Sequence, residues 1–479
     1  MRFARTSLPH TGDGVAVPFA AIVLAMLPAV LDQTILATAL PTVASDLGRL
    51  ADVSWLVTAY VVAAAATTPV WGKLGDRHGR KRLLEIALAA FLAASALCGA
   101  AQSITTLIVV RAIQGAAAGG LMTLAMAAIG DLVSPRERGR YQGYIAAAFA
   151  VATVVGPLLG GVIVDGPGWR WVFYVNLPVG LAALAGLAAR LPAPATERPA
   201  RRLDISGAAL LAGATTVLML ICVWGGERYA WTSAPIVALA AALVVLAAAL
   251  VARERRADDP IVPLHILRTR TVAVASVALF LATAALFAVT VFVPLFLQTT
   301  TGASPSQAGL LMVPMMIGIT ASTTLAGRRV ERTGRYKRYP VAGLALMSAA
   351  LALLAAVTPE ASRVATGVGL ALFGLGFGMV TQLLVVAVQN SVERRDLGVA
   401  TATTSFFRGL GGAVGAAVLG AVFAAGAGLH VGENGLRLAA AAQADIAGAV
   451  QLVFVVAAPL AALALLAVLR LPELALRRA

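Results

Sequence analysis

Long apolar segments recur along the whole sequence, and the short segments between them hold nearly all of its charge. Of the 479 residues, 60% are hydrophobic and only 12% are charged, and the mean hydropathy is +0.88. Each apolar segment is long enough to cross about 30 Å of hydrocarbon as a helix. Helices are implied because inside lipid every backbone N–H and C=O group must find its partner within the protein.

We therefore predict an all-α integral membrane protein of about fourteen transmembrane helices. The predicted spans are 18–41, 54–72, 83–101, 105–128, 143–164, 170–190, 204–224, 234–252, 272–297, 308–327, 339–357, 362–388, 400–423 and 448–470. Six spans counted from each end leave the two central spans as an inserted hairpin, a plan that fits transporters built from repeated halves. The predicted domains are an N-terminal six-helix half over 1–190, a linker and inserted helix hairpin over 191–271, and a C-terminal six-helix half over 272–479.

The net charge of +15 reflects membrane topology rather than a nucleic-acid partner. Most of the 37 Lys and Arg residues lie in alternate segments between the spans, and the opposite segments hold few. Basic residues accumulate on the cytoplasmic side of membrane proteins. The pattern predicts that both termini are cytoplasmic and that the chain binds no nucleic acid.

Two basic segments on the predicted inner side resemble each other, and each follows the second span of a six-helix half. The two segments match at five positions, which pair Gly72 with Gly327, Asp76 with Glu331, Arg77 with Arg332, Gly79 with Gly334 and Arg80 with Arg335. Basic loops with glycine are common on cytoplasmic faces, so two such loops alone would not exclude chance. Their matched positions within the halves favour an internal repeat.

Asp32 is the acidic residue that lies deepest in an apolar span. An ionised aspartate at the centre of a membrane helix costs about 2.5 to 3.5 kcal/mol on insertion scales. Burial disfavours the charged form, so Asp32 would be able to exchange a proton near neutral pH, and its anion could pair with a cation. The alternative is a water-exposed, interfacial aspartate near the outer end of the first span. We favour the functional interpretation.

Arg111 and Arg408 are the two basic residues inside predicted spans. A guanidinium there needs a carboxylate, carbonyl dipoles or water. Gln114 lies three residues after Arg111, on the same helical face. Arg408 is a candidate for a cavity in the C-terminal half. A purely structural role for the arginines is equally compatible with the sequence.

The fifth span contains a seam of small residues with a proline, formed by Gly156, Pro157, Gly160 and Gly161. Such residues allow neighbouring helices to approach closely and permit a local bend. Packing alone would explain the seam, and a bend between helices that must rock would use it as well.

Motifs for other kinds of chemistry are missing. The sequence has no glycine-rich loop ending in Lys and Ser or Thr, which argues against ATP hydrolysis. Its four histidines are widely spread, and Cys98 and Cys222 lie in apolar spans as small hydrophobes, so we expect no metal site and no disulfide. No nucleophile is paired with a base, and we expect no catalytic residues and no enzyme.

The sequence resembles the major facilitator superfamily over nearly its whole length, and specifically the fourteen-span drug:proton antiporter branch. Motifs in the order and spacing of that branch carry the resemblance: LDQTILATALP at 31–41, SWLVTAY at 54–60, GKLGDRHGRK at 72–81, RAIQG at 111–115, GPLLGG at 156–161 and WRWVFYVNLPVG at 169–180. Two positions depart from the pattern. Ala37 stands where many relatives have Asn, and Ala152 stands where the antiporter motif usually has Gly.

The resemblance implies two halves that rock about a central cavity. It assigns coupling of proton and substrate to Asp32, Arg111 and Gln114. It implies that the segment between the second and third helices is a conformational latch, formed by Gly72, Asp76, Arg77, Gly79, Arg80 and Lys81. It also implies that the seam in the fifth helix is the antiporter motif of that branch.

We predict efflux of amphipathic or cationic drugs and toxic compounds across a bacterial inner membrane, by a monomer that is driven by the proton gradient and needs no cofactor. The expected partners are the small substrate, protons and the lipid bilayer. A dedicated exporter of an endogenous antibiotic, lipid or other metabolite would use the same machinery. A non-transporting membrane sensor is a further alternative, whereas the motif of the fifth helix argues against an importer.

Overall fold

The computed structural model describes residues 13–47, 50–134, 137–191, 204–226, 228–257, 260, 264–300, 305–356, 363–393, 396–427, 443–474 and 476. These residues form seventeen helices and, apart from one isolated bridge between Gly225 and Tyr229, no β-structure. The first seven helices are α1 (Asp13–Leu47), α2 (Leu50–His78), α3 (Arg80–Gly99), α4 (Ile104–Leu132), α5 (Arg138–Asp165), α6 (Trp171–Tyr174) and α7 (Asn176–Arg190). The central pair is α8 (Ile205–Trp224) and α9 (Ala234–Glu254). The others are α10 (Leu264–Arg268), α11 (Arg270–Thr300), α12 (Pro305–Leu311), α13 (Val313–Thr333), α14 (Arg338–Ala355), α15 (Arg363–Ser391), α16 (Leu397–Gly426) and α17 (Gln443–Leu469).

Fourteen helical segments of the described chain are long and apolar enough to cross a membrane. They coincide one to one with the fourteen predicted spans, because in each case the apolar run is about 20 residues or more. The predicted all-α membrane fold is therefore confirmed. The longer helices extend beyond the predicted spans into polar sequence, as α2 does when it continues to His78.

Two of the predicted spans contain a break between two helices. In the span 170–190, α6 and α7 separate at Val175, and in the span 308–327, α12 and α13 separate at Met312. Pro178 lies in the first turn of α7, and Pro314 lies in the first turn of α13. Proline has no N–H to donate to the preceding turn, but its fixed φ suits the first turn of a helix. Each proline therefore favours a new helix start.

The prediction of a loop over 72–81 is wrong, because helix occupies almost the whole segment. Only Gly79 separates α2 from α3, and its φ of 89° lies in a region that L side chains rarely adopt. Gly334, its counterpart in the predicted repeat, ends α13 with a φ of 69°. A glycine with positive φ thus stands at a helix end at matching positions of the two segments, which supports the internal repeat.

The first of two compact units comprises Met1–Thr67, Trp71–Ser134 and Val151–Ala200. Within it, both α1 and α3 pack against α4 and α7. Apolar side chains from α1, α3, α4 and α6 form a buried cluster that includes Ile35, Leu107 and Phe173. The unit is therefore held together by the burial of apolar side chains between helices that are far apart in sequence.

The second compact unit comprises Thr68–Val70, Pro135–Ala150 and Arg201–Ala479. Within it, α11 packs against α15, α16 and α17, and α15 packs against α13 and α14. The hairpin of α8 and α9 belongs to this unit, and α8 also contacts α16. The division into domains at 190 and 271 stays a prediction.

An ion pair fixes the two ends of the α8–α9 hairpin to each other. Arg253 Nε donates to Asp204 Oδ1 and Oδ2 at 2.9 and 3.1 Å. Asp204 also caps α8 by accepting from the backbone N–H of Gly207 at 3.0 Å. Burial acts to raise the pKa of Asp204, but the Gly207 amide, the Ser206 hydroxyl and Arg253 outweigh it and hold the pKa below its usual range.

We expect Gly79→Ala to destabilise the protein by about 1 to 2 kcal/mol, because a Cβ atom is disfavoured at positive φ. Steric overlap with neighbouring atoms does not contribute to this destabilisation, since a Cβ at Gly79 would meet no atom within 4 Å. The matched control is Gly409→Ala in α16, where a Cβ would likewise meet nothing within 4 Å but the backbone is helical. Thermal unfolding followed by size-exclusion chromatography in detergent measures both. Equal unfolding temperatures for the two variants would contradict the argument.

Candidate functional site

Asp32 lies in α1 with none of its surface exposed. Its carboxylate is paired with Arg111 of α4, whose Nη1 donates to Asp32 Oδ2 at 2.5 Å. Arg111 is only 1% exposed. The interfacial alternative for Asp32 is therefore wrong. Both charges are removed from solvent, and each compensates the other.

The rest of the Arg111 side chain is held by polar and aromatic partners. Nη1 also donates to Gln114 Oε1 at 2.6 Å, as their common helical face predicted. Nε donates to the backbone O of Leu56 at 3.2 Å, and the guanidinium carbon lies 4.3 Å from the centre of the Tyr60 ring. The ring face offers negative potential to the cation. The arginine is thus fixed in one orientation towards the carboxylate.

Two side-chain amides complete the shell of donors around Asp32. Gln114 Nε2 and Asn176 Nδ2 donate to Asp32 Oδ1 at 2.9 and 3.2 Å. The same two nitrogens donate to Ser95 Oγ at 3.1 and 3.0 Å. Asp32, Ser95, Arg111, Gln114 and Asn176 form what we call the buried polar cluster. It joins α1, α3, α4 and α7 within the first compact unit.

Sequence reasoning missed Ser95 and Asn176. Both are polar residues inside predicted apolar spans, and this was the signal that could have identified them. Cys98 was interpreted as a small hydrophobe. It is buried, but its Sγ also lies 3.6 Å from Gln114 Oε1 at the edge of the cluster.

The arrangement suits an ionised carboxylate. Three N–H donors face its two oxygens, and one of them is a permanently charged guanidinium. Because Asp32 is fully buried, a proton can reach it only when the surrounding helices separate. The cluster therefore holds a carboxylate in its charged form in a site that is closed to solvent.

The glycines of the seam in α5 allow close contact with α1 next to Asp32. A Cβ at Gly156 would lie 2.0 Å from Thr34 Oγ1, and a Cβ at Gly160 would lie 2.2 Å from Thr38 Oγ1. At Gly161 a Cβ would meet nothing within 4 Å. Position 157 lies in α5, but its side chain is outside the described part of the structure. The seam thus packs against the turns of α1 that follow Asp32.

The segment 72–81 lies about 22 Å from the buried polar cluster along α3, because fifteen residues separate Arg80 from Ser95 at 1.5 Å per residue. Arg80 connects three helices. It pairs with Asp76 at 2.6 Å, pairs with Asp131 of α4, and donates to the backbone O of Ala127 at 3.0 Å. These contacts join the end of α2, the start of α3 and the end of α4 within the first compact unit.

The other residues of the predicted latch take different positions around Arg80. Lys81 Nζ donates to the backbone O of Ala188 in α7 at 2.9 Å. Gly72 is buried. Arg77 Nη1 is buried and has no hydrogen-bond partner among the described residues. The latch function stays a prediction.

The corresponding segment of α13 contacts the start of α5 inside the second compact unit. Glu331 Oε1 pairs with Arg140 Nη1 at 3.3 Å. A Cβ at Gly327 would lie 2.0 Å from the backbone O of Gly139, so the two backbones touch. Sequence reasoning identified Gly327 and Glu331 as a repeat of the first segment, but it gave no indication of this partner.

Arg408 lies in α16 and is half-buried. No hydrogen bond or ion pair joins it to another described residue. Gly411 and Gly415, on the same helical face, pack against Phe280 and Ala284 of α11. The assignment of Arg408 to a cavity stays a prediction.

A second carboxylate of α1 lies in a different environment. Asp46 accepts from Trp169 Nε1 at 2.9 Å and from Arg170 Nη1 at 3.0 Å, and nearly half of its side-chain surface is exposed. The Trp169 hydrogen bond and then the Arg170 guanidinium hold the pKa of Asp46 below its usual range. Among the described residues, no group of His, Cys, Asp and Glu has the arrangement of a metal site.

Comparison with known proteins identifies relatives over most of the chain. The sequence profile of the Major Facilitator Superfamily matches residues 22–416. An uncharacterized MFS-type transporter of Mycobacterium tuberculosis (strain ATCC 25618 / H37Rv) is 41% identical over 405 residues, and this alignment covers 85% of our chain and 59% of that protein. The chain thus spans less than two thirds of that relative. The multidrug transporter protein MdtP of Bacillus subtilis (strain 168) is 36% identical over 407 residues, which cover 85% of our chain and 75% of MdtP.

A solved structure shows the same fold at low sequence identity. The human organic anion transporter MFSD10 (TETRAN) superimposes with a TM-score of 0.69 at 19% identity, over 96% of our chain and 100% of that chain. Together with the profile match, this confirms the superfamily that the sequence motifs indicated. It also confirms that the chain is not an enzyme, because the superfamily and the named relatives are transporters.

We expect Gly156→Ala to destabilise the protein by about 1 to 3 kcal/mol, because the new methyl group overlaps with Thr34 of α1. Gly161→Ala is the matched control in the same helix, where the methyl group enters open space. Thermal unfolding of the purified proteins in detergent measures the difference. A Gly161→Ala variant that unfolds at the same lowered temperature as Gly156→Ala would contradict the predicted contact.

Proposed function

Because the chain belongs to the Major Facilitator Superfamily, we propose that it exports small amphipathic molecules from the cytoplasm of a bacterium in exchange for protons. The name of the related multidrug transporter MdtP supports export of drug-like compounds. We propose that the protein acts as a monomer in the inner membrane. The distribution of basic residues indicates that both termini are cytoplasmic.

The buried ion pair between Asp32 and Arg111 is the observation that carries the proposal. An arginine side chain carries a permanent positive charge in proteins. When Asp32 accepts a proton, the charge that compensates Arg111 disappears, and an uncompensated guanidinium is costly in a dry environment. The buried polar cluster must then rearrange. Proton uptake is thereby linked to movement of α1 and α4, which alternating access requires.

Other elements support this cycle from outside the cluster. Gly156 and Gly160 of the seam let α5 pack and move closely against α1. The contacts of Arg80 hold the inner ends of three helices in one conformation, which is the property expected of a latch. Substrate reaches the region of Asp32 only after the helices separate, because the carboxylate is fully enclosed.

The proton gradient alone supplies enough free energy, and no cofactor is needed. One proton crossing about 100 mV and about one pH unit releases about 3.7 kcal/mol, which corresponds to roughly 500-fold accumulation of a neutral substrate. For a monovalent cation exchanged one for one the electrical part cancels, and about tenfold accumulation is left from the pH difference.

We expect everted membrane vesicles to accumulate ethidium when a proton gradient is imposed, and we expect Asp32→Asn to abolish this uptake. The substitution removes the proton site with little change of side-chain volume. Asp46→Asn is the matched control, since it neutralises an exposed carboxylate on the same helix. Ethidium fluorescence measures transport, and size-exclusion chromatography shows whether each variant is folded.

The possible outcomes separate the alternatives. Proton-driven uptake at the parental rate by folded Asp32→Asn would refute the role of Asp32. A folded parent that transports no ethidium would refute broad drug export and would favour a narrow exporter of one metabolite.

A further inference from the structure

Nearly all side-chain oxygen atoms of the buried polar cluster already accept hydrogen bonds. Ser95 Oγ accepts from Gln114 Nε2 and Asn176 Nδ2 at 3.1 and 3.0 Å and donates to a backbone carbonyl of α6 at 2.9 Å. Gln114 Oε1 accepts from Arg111 Nη1 at 2.6 Å and lies 3.6 Å from Cys98 Sγ. A hydroxyl or amide oxygen has two lone pairs. Neither oxygen can therefore accept a further strong hydrogen bond.

Asn176 Oδ1 is different from these oxygens. It is buried, and within the described part of the chain it accepts no hydrogen bond. Asn176 as a whole is only 1% exposed, so Oδ1 is removed from bulk solvent. Its nitrogen, in contrast, is fully used by Asp32 Oδ1 and Ser95 Oγ. A buried acceptor without a donor is unfavourable, and its position beside a carboxylate calls for a physical reason.

A protonated Asp32 would need the acceptor that Asn176 provides. The carboxylate now faces only N–H donors, which suit the ionised form. If Oδ1 of Asp32 takes a proton from water, this oxygen becomes an O–H donor. In the described cluster, the side-chain oxygen outside Asp32 that still has both lone pairs free is Asn176 Oδ1. Half a turn of the Asn176 amide about its Cβ–Cγ bond brings Oδ1 to the place of Nδ2.

We propose that Asn176 is the positioning residue that follows the protonation state of Asp32: its Nδ2 holds the carboxylate, and after half a turn its Oδ1 accepts the hydrogen bond of the carboxylic acid. The proposal rests on the proposed function, in which Asp32 exchanges a proton. Asn176 is the first residue of α7, directly after the break at Val175. The same rotation of the Asn176 amide also takes Nδ2 away from Ser95. Protonation therefore changes how α7 is held to α1 and α3.

The surroundings of Asn176 contain few other groups that titrate or carry charge. The groups that face the cluster from the packed helices, besides Asp32 of α1, are Tyr60 of α2, Cys98 of α3 and Arg111 of α4. From α6, the ring of Tyr174 lies against Gly99 instead. Among these described groups, only Asp32 hydrogen bonds to Asn176. A pH-dependent change at the Asn176 amide therefore reports on Asp32.

The sequence makes a direct test practical, because the chain contains only three asparagines, Asn176, Asn390 and Asn434. We would label full-length protein with ¹⁵N at the asparagine side chains and record the amide signals in lipid nanodiscs from alkaline to acidic pH. Asn390→Gln and Asn434→Gln identify two of the three signals, and the third belongs to Asn176. The parent is compared with Asp32→Asn, in which an added Asn176→Gln substitution distinguishes the Asn176 signal from that of the new asparagine.

We expect both Asn176 amide protons to shift upfield together as the pH falls, because they leave a carboxylate and a hydroxyl oxygen. In Asp32→Asn the Asn176 signal should be independent of pH. The Asn390 signal is the internal control, and it should respond to pH in the same way in both proteins. A pH-independent Asn176 signal in the parent, or the same titration in Asp32→Asn, would overturn the proposal.

This measurement does not depend on transport, so its failure is distinguishable from failure of the proposed function. If Asn176 titrates with Asp32 in a protein that accumulates no ethidium, the inference stands and broad drug export is refuted. If transport depends on Asp32 while the Asn176 signal stays constant, the function stands and the inference is refuted.

Discussion

The ion pair between Asp32 and Arg111 is the interaction on which the buried polar cluster depends. Each charge is enclosed by helices that are apolar enough to cross a membrane, so neither charge can be solvated by water. Removal of one partner from a buried pair costs about 3 to 5 kcal/mol, because the other charge is left uncompensated. The pair fixes α1 to α4, and the amides of Gln114 and Asn176 extend the same network to α3 and α7. A change of charge at Asp32 therefore acts on four helices at once.

Glycine serves two separate purposes around this network. At Gly156, Gly160 and Gly327 the missing side chain allows a neighbouring helix to approach until a Cβ atom would overlap with it. At Gly79 and Gly334 the backbone adopts a positive φ and ends a helix within one residue. The first use permits close packing of helices without large side chains, and the second fixes abrupt helix ends. Both are physical requirements of long helices that must pack tightly and still move relative to each other.

The sequence was sufficient to predict the number of spans, because apolar length alone decides whether a helix can cross the membrane. It was also sufficient to single out Asp32, Arg111 and Gln114, because polar groups inside apolar spans are costly and need partners. It could not reveal that these groups meet, since α1 and α4 are joined only by tertiary packing. Asn176 and Ser95 carried the same signal of a polar residue inside an apolar span, but the sequence did not show that they lie beside Asp32. The helical continuation through 72–78 was missed because charged residues are compatible with a helix that extends beyond the lipid.

Infrared difference spectroscopy of the purified protein in lipid tests the role of Asp32 most directly, because the C=O band of a carboxylic acid reports a protonated carboxyl group. We expect acidification of the parent to produce such a band over the pH range in which a proton gradient drives transport. The band should be absent from Asp32→Asn and present in Asp46→Asn. Identical difference spectra for the parent and Asp32→Asn would show that Asp32 takes up no proton, and would contradict the account.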